Sequence, residues 1–209
     1  MLSKLYSATT FGLEGVCITV EVDVYQRGFP SFAIVGLPSK AIEESKERVR
    51  TAIKNSSHEM PEARIVVNLA PANIPKEGSA FDLPIAIGIL ASSRVIEPST
   101  ISDVMVIGEL SLNGKIQPVS GVLPIALLAR EKGIKHLFVP IQNVDEAAVV
   151  KELTVYGVQS ISQLILHFQD TAKMTPATPI DIASIIKSSH IQYDFSEIKG
   201  QQSAKRAME

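Results

Sequence analysis

From Val16 to Tyr25 the chain alternates strictly, with Val16, Ile18, Val20, Val22 and Val24 separated by Cys17, Thr19, Glu21, Asp23 and Tyr25. A period of two over that length predicts a strand with one buried face. Gly28-Phe29-Pro30 interrupts it, and residues 32–35 predict a second strand. Gly36-Leu37-Pro38-Ser39 then turns into a helix, with Ser39 suited to its N-cap. Ile42, Val49, Ala52 and Ile53 lay an apolar stripe along that helix. Its Lys40, Lys46, Arg48, Arg50 and Lys54 are interleaved with Glu43, Glu44 and Glu47. Mixed signs of this kind predict a solvated, salt-bridged face, with a subunit or nucleic-acid contact as the alternative.

Residues 64–69 form a β-branched run that predicts a third, buried strand. It empties into a loop, Ala70 to Phe81, that is rich in helix breakers. Asp82 is placed to cap the next helix, and Pro84 falls in the first turn, where its missing N–H costs little. Leu83, Ile85, Ala86, Ile87, Ile89 and Leu90 make that helix apolar nearly all round, which predicts a central position. Residues 104–110 predict a strand that turns through Asn113-Gly114 into 115–119, since Asn-Gly between apolar runs favours a hairpin. A helix over 122–132, a strand over 136–140, a helix over 144–151, a strand over 154–158 and a helix over 161–168 complete the pattern. The expected fold class is α/β or α+β, a mixed sheet with packed helices, over residues 1–170. Two prolines and three threonines in Thr171–Pro179 predict an exposed linker over 171–180. Residues 181–209 are expected to begin a second domain and are too few to fold alone.

Composition narrows the chemistry. Of 209 residues, 20 are Lys or Arg and 22 are Asp or Glu, a net charge of −2, which lacks the basic excess of a free-standing nucleic-acid binder. Cys17 is the sole cysteine, so no intrachain disulfide forms and a reducing, cytoplasmic setting is expected. No secretory signal pattern opens the chain, and no apolar run approaches the ~20 residues of a membrane span. His58, His136, His167 and His190 are scattered without zinc-site spacing, so no metal is expected. Gly108 and Gly114-Lys115 fail as a phosphate loop: five residues separate the glycines instead of four, and Ile116 stands where Ser or Thr must hold magnesium. The remaining candidate is the loop Pro75-Lys76-Glu77-Gly78-Ser79-Ala80-Phe81-Asp82. A Gly-Ser turn feeding a helix start could form an anion or oxyanion site, and the plainer alternative is a tight strand-to-helix connection.

Pro75-Lys76-Glu77-Gly78, with the later stretch Gly108-Glu109-Leu110 to Gly114-Lys115-Ile116-Gln117-Pro118-Val119, resembles the two signature segments of the Lon protease proteolytic domain. Gly133-Ile134-Lys135 and residues 136–140 continue the likeness. In that family the first segment carries a nucleophilic serine and the second a lysine that serves as its base. Laid on this chain without gaps, the serine position falls on Ala80 and the lysine position on Leu123. Neither side chain can attack or move a proton, and a Ser–Lys dyad needs both groups within hydrogen-bond reach. Ser79 lies one residue early and Lys115 in the preceding hairpin.

A denser likeness links Ile34-Val35-Gly36-Leu37-Pro38, residues 44–50, Val67-Asn68-Leu69-Ala70-Pro71-Ala72 and residues 76–86 to the ComM/YifB, or magnesium-chelatase-like, family. It runs from about residue 2 to 168, and Asp194-Phe195-Ser196-Glu197-Ile198-Lys199-Gly200-Gln201 is similar to the start of that family's AAA+ ATPase module. The resemblance implies a non-catalytic Lon-like domain before an ATPase that uses ATP and magnesium outside this stretch. It implies a hexameric ring as partner, DNA contact through the whole protein, no membrane, and branch migration during natural transformation. Two alternatives stand: a serine peptidase with a displaced dyad on Ser79, and an ATPase subunit of magnesium chelatase. The second is disfavoured here because such subunits are not expected to carry a Lon-like domain in front.

Overall fold

The computed structural model describes residues 1–25, 29–181 and 195–208. Seven strands form one sheet in the order β3-β4-β2-β1-β5-β8-β9. These are β1 (Leu2–Phe11), β2 (Glu14–Tyr25), β3 (Ser31–Val35), β4 (Arg64–Ala70), β5 (Val104–Val106), β8 (His136–Pro140) and β9 (Thr154–Val158). β2 runs antiparallel to both β1 and β4, and the remaining neighbours are parallel. The register sets Leu5 beside Val20 and Val20 beside Leu69, so the alternating apolar positions of β2 share one face. On that face lie α1 (Lys40–Asn55), α2 (Asp82–Ser92) and α5 (Ile161–Phe168), while α3 (Val122–Glu131) and α4 (Val144–Ala148) build a second core with Met105, Leu137 and Val155. This is the mixed sheet with packed helices that the pattern predicts.

The central helix is α2, whose eleven residues are all buried. Each fully buried Leu or Ile contributes about 2 kcal/mol, far more than the ~0.9 kcal/mol that Gly88 costs in helix propensity. Gly88 is needed for close approach, because a Cβ there would lie 2.5 Å from Val22 Cγ2. β1 is absent from the sequence expectation for a related reason. Its core-facing positions include Ser3 and Ser7, which blur the alternation. Ser3 donates its hydroxyl to Gly88 O at 2.8 Å and accepts one from Ser92 at 2.9 Å, so a polar residue lies satisfied against α2.

Four expectations need correction. The run 104–110 is not one strand: after β5 the backbone of Gly108 donates to Ala80 O and accepts from Leu83 N–H, and leaves the sheet. The rest of the run pairs as a separate hairpin, β6 (Glu109–Leu110) with β7 (Ile116–Gln117). The helix expected over 144–151 ends at Ala148, where Val150 N–H bonds back to Ala147 O and Glu152 takes a left-handed φ of 68°. Asp82 does not cap α2, since Phe81 holds the flanking position and the Asp82 carboxylate points elsewhere. Ser39 does precede α1 in extended conformation, but its hydroxyl makes no capping bond. Beside these four, residues 171–180 are largely exposed and also docked on the body. Met174, Ala177 and Ile180 are half-buried at the three-residue period that proline-rich extended chain favours. Ala177 N–H donates to Val155 O at 2.8 Å, and Ile180 N–H to Ala148 O at 3.0 Å. A last helix, α6 (Gln202–Met208), has no buried residue.

Candidate functional site

The loop between β4 and α2 is anchored at one end by Lys76. Its side chain is fully buried, and Nζ donates to Gly36 O at 2.7 Å and to Pro71 O, which binds the β3–α1 turn to the end of β4. Burial holds its pKa below the ordinary lysine value. The other end is anchored by Asp82, also fully buried. Arg48 of α1 donates Nε to Oδ2 at 2.7 Å and Nη2 to Oδ1 at 3.0 Å, and Leu110 N–H donates to Oδ2 at 3.2 Å. Burial pushes this carboxyl up, against the opposing pull of Arg48 and of the Leu110 amide. Arg48 therefore leaves the solvated charge ladder expected for α1 and ties α1, α2 and β6 together.

Between these anchors, Ser79 and Ala80 line a cleft of about 430 Å³, facing Thr9 and Thr10 of β1, Glu109, and Ile125 of α3. Ser79 donates its hydroxyl to Glu109 Oε2. Ala80 is thus in the cleft. Leu123 is outside it, exposed on α3 with its N–H bound to Glu146 Oε1 at 2.8 Å. Ile125 of α3, two residues further on, lines the cleft together with Ala80. Because 3.6 residues make a turn, a two-residue slip carries a helical position to nearly the opposite side. Hydrocarbon stands at either position.

The first turn of α2 does not form the anion site considered for it. Asp82 N–H is bound to Ser79 O, Leu83 N–H to Gly108 O and Ile85 N–H to Phe81 O, and Pro84 has no N–H. The tight-connection alternative describes this loop.

Gly114-Lys115-Ile116 belongs to the β6–β7 hairpin. Gly114 has φ 80°, a Cβ on it would lie 2.2 Å from Ser56 Oγ, and Ile116 is buried. A phosphate loop needs glycines with open space over them, so these residues do not fit ATP or its magnesium. Among the described residues no group of three or more His, Cys, Asp or Glu is arranged to hold a metal ion. His58 bonds to Ser56 O, His136 and His167 pack on Tyr156, and His190 lies outside the described residues. Cys17 is half-buried, and burial raises its thiol pKa against a weaker opposing pull from Lys132. None of the described helices is long and apolar enough to cross a membrane.

Comparison with known proteins places this architecture. The competence protein ComM of Haemophilus influenzae is 39% identical over 208 residues, 99% of this chain and 40% of that protein. The YifB protein of Escherichia coli is 33% identical over 208 residues, 100% of this chain and 40% of its own length. The chain therefore spans about 40% of the length of these relatives. Lon protease 2 of Bacillus subtilis is 29% identical over 125 residues, 57% of this chain and 22% of that protease. The sequence model of the family described as subunit ChlI of Mg-chelatase matches residues 20–143. That match lies within the α/β body, so the body itself does not set the chain apart from chelatase-named relatives. Covering more than half of the chain, and joined by relatives that align with it from end to end, it makes this protein a member of the ChlI and ComM/YifB family of AAA+ proteins.

Proposed function

We propose that residues 1–170 are a Lon-like body without peptidase chemistry, which serves as an assembly scaffold for an ATP-driven motor. The observation that carries this reading is the cleft, which Ala80 and Ile125 line together and where the Ser79 hydroxyl is held by a carboxylate rather than by an amine. A scaffold requires a rigid body, and the fully buried α2 with its two anchored ends supplies one. In this reading residues 171–180 connect the body to an ATPase module that begins near residue 181, and ATP and magnesium bind beyond the described residues. The ComM relative is a competence protein by name. By that relationship the whole protein forms a hexameric ring in the cytoplasm and acts on DNA during natural transformation.

Sedimentation of the full-length protein with and without residues 1–170 tests the scaffold role. The intact protein is expected to sediment as a nucleotide-dependent ring, and the deletion as smaller species. A ring from the deletion protein would refute the scaffold role. Insertion of magnesium into a tetrapyrrole by the full-length protein would favour the chelatase reading instead.

A further inference from the structure

We propose that residues 174–180 form a pH-gated strap, latched to the α/β body through the neutral imidazole of His167 and released when that ring takes a proton. The latch is a hydrogen bond in which Met174 N–H donates to His167 Nδ1 at 3.0 Å. A backbone amide can only donate, so Nδ1 carries no proton and the neutral ring holds its single proton on Nε2. Protonation places an N–H on Nδ1, directed at the Met174 N–H. The bond is lost and two donors then oppose each other.

The surroundings keep the ring neutral. His167 is 9% exposed near the end of α5 and packs on Phe138 of β8, Tyr156 of β9 and Phe168, with ring centroids 5.2–5.4 Å away. Burial is the main influence that holds its pKa below the ordinary imidazole value, and Lys173 and His136 act in the same direction. Asp170 acts against them, but its carboxylate is paired with Lys173 Nζ at 2.9 Å. The ordinary value applies to the released ring, so the latch is whole above it and fails as pH falls through the lowered value.

Beyond the latch, the strap is held by the Ala177 and Ile180 amides and by the half-buried Met174 and Ala177 side chains on the two cores. Loss of the latch leaves these contacts to hold the segment. Release of 174–180 frees seven residues, up to about 23 Å of extended chain.

Amide hydrogen exchange of the 209-residue chain, read by NMR at pH 5 to 8 and corrected for intrinsic rates, tests the strap. Protection of the Met174, Ala177 and Ile180 amides is expected to fall at least tenfold between pH 7.5 and pH 5, while Val20 and Leu69 in the sheet keep theirs. In His167→Asn an amide oxygen takes the place of Nδ1 and cannot titrate, so strap protection should hold at both pH values. His167→Phe keeps the ring and loses the acceptor, so the strap should be unprotected throughout. Wild-type protection that persists at pH 5, or an Asn variant that loses it in step with wild type, overturns the proposal. Should either variant fail to fold, the ring nitrogen shifts of wild-type His167 decide the matter, and a proton on Nδ1 at pH 7.5 refutes the latch.

Discussion

Asp82 and Lys76 stand at opposite ends of one loop, both without solvent exposure, and bury opposite charges by different means. Asp82 is met by a two-pronged guanidinium and a backbone amide. Lys76 is met by carbonyl oxygens. The first arrangement neutralises a charge, while the second satisfies donors with dipoles and lets burial lower the pKa. The aspartate end should therefore depend steeply on one distant partner. The lysine end divides its dependence between two backbone segments and should give way more gently.

The largest effect is expected for Arg48→Met, which leaves a buried carboxylate unpaired and should cost about 3–5 kcal/mol in urea unfolding. Without Arg48 the Asp82 pKa rises further above its unfolded value. The variant should recover stability as pH falls through that raised value and lose it again as pH rises, so an R48M deficit that never shrinks as the pH is lowered from 7.5 would contradict the pairing. Lys76→Met, which removes two charge-assisted bonds but leaves no unpaired charge, is expected to cost about 1–3 kcal/mol. Its deficit should stay level over the same pH range, because no carboxylate is released. A loss larger than that of R48M would reverse the comparison. The smallest effect is expected at Ser79→Ala, within about 0.5 kcal/mol, since this hydroxyl lies partly exposed between the two anchors. A serine-directed phosphonate should leave the folded wild-type chain unlabelled, and labelling that vanishes in S79A would restore the peptidase reading.

These contacts explain which parts of the fold could be read from sequence. The strict alternation of β2 and the all-apolar run of α2 report burial through local period, and both elements form where expected. Period says nothing about partners 34 residues apart, so Arg48 resembles any other charge on an amphipathic helix until Asp82 lies beside it. β1 was hidden because inward serines blur its alternation, and Ser3 satisfies its hydroxyl on α2, a solution that depends on tertiary contact. In the cleft, Ala80 could be placed because the Pro-Lys-Glu-Gly motif fixes a short register. The α3 residue that borders the cleft could not be placed in the same way, since Ile125 lines it while Leu123, two residues earlier, is exposed. The composition of 171–180 correctly implies exposure, but the docking of every third residue depends on the β9 border it follows.

The strand order gives the strap a further consequence. Ile180 is fastened at the α4–β9 corner, whereas β3 forms the opposite border of the sheet, with Phe29 just before it 94% exposed. Six inter-strand spacings of about 4.8 Å put these borders roughly 29 Å apart. A load carried after Asp181 and a neighbour docking along β3 would thus occupy separate ports, and a donor and acceptor dye at positions 29 and 181 would span a gap well suited to energy transfer, brightening or dimming as the strap lets go.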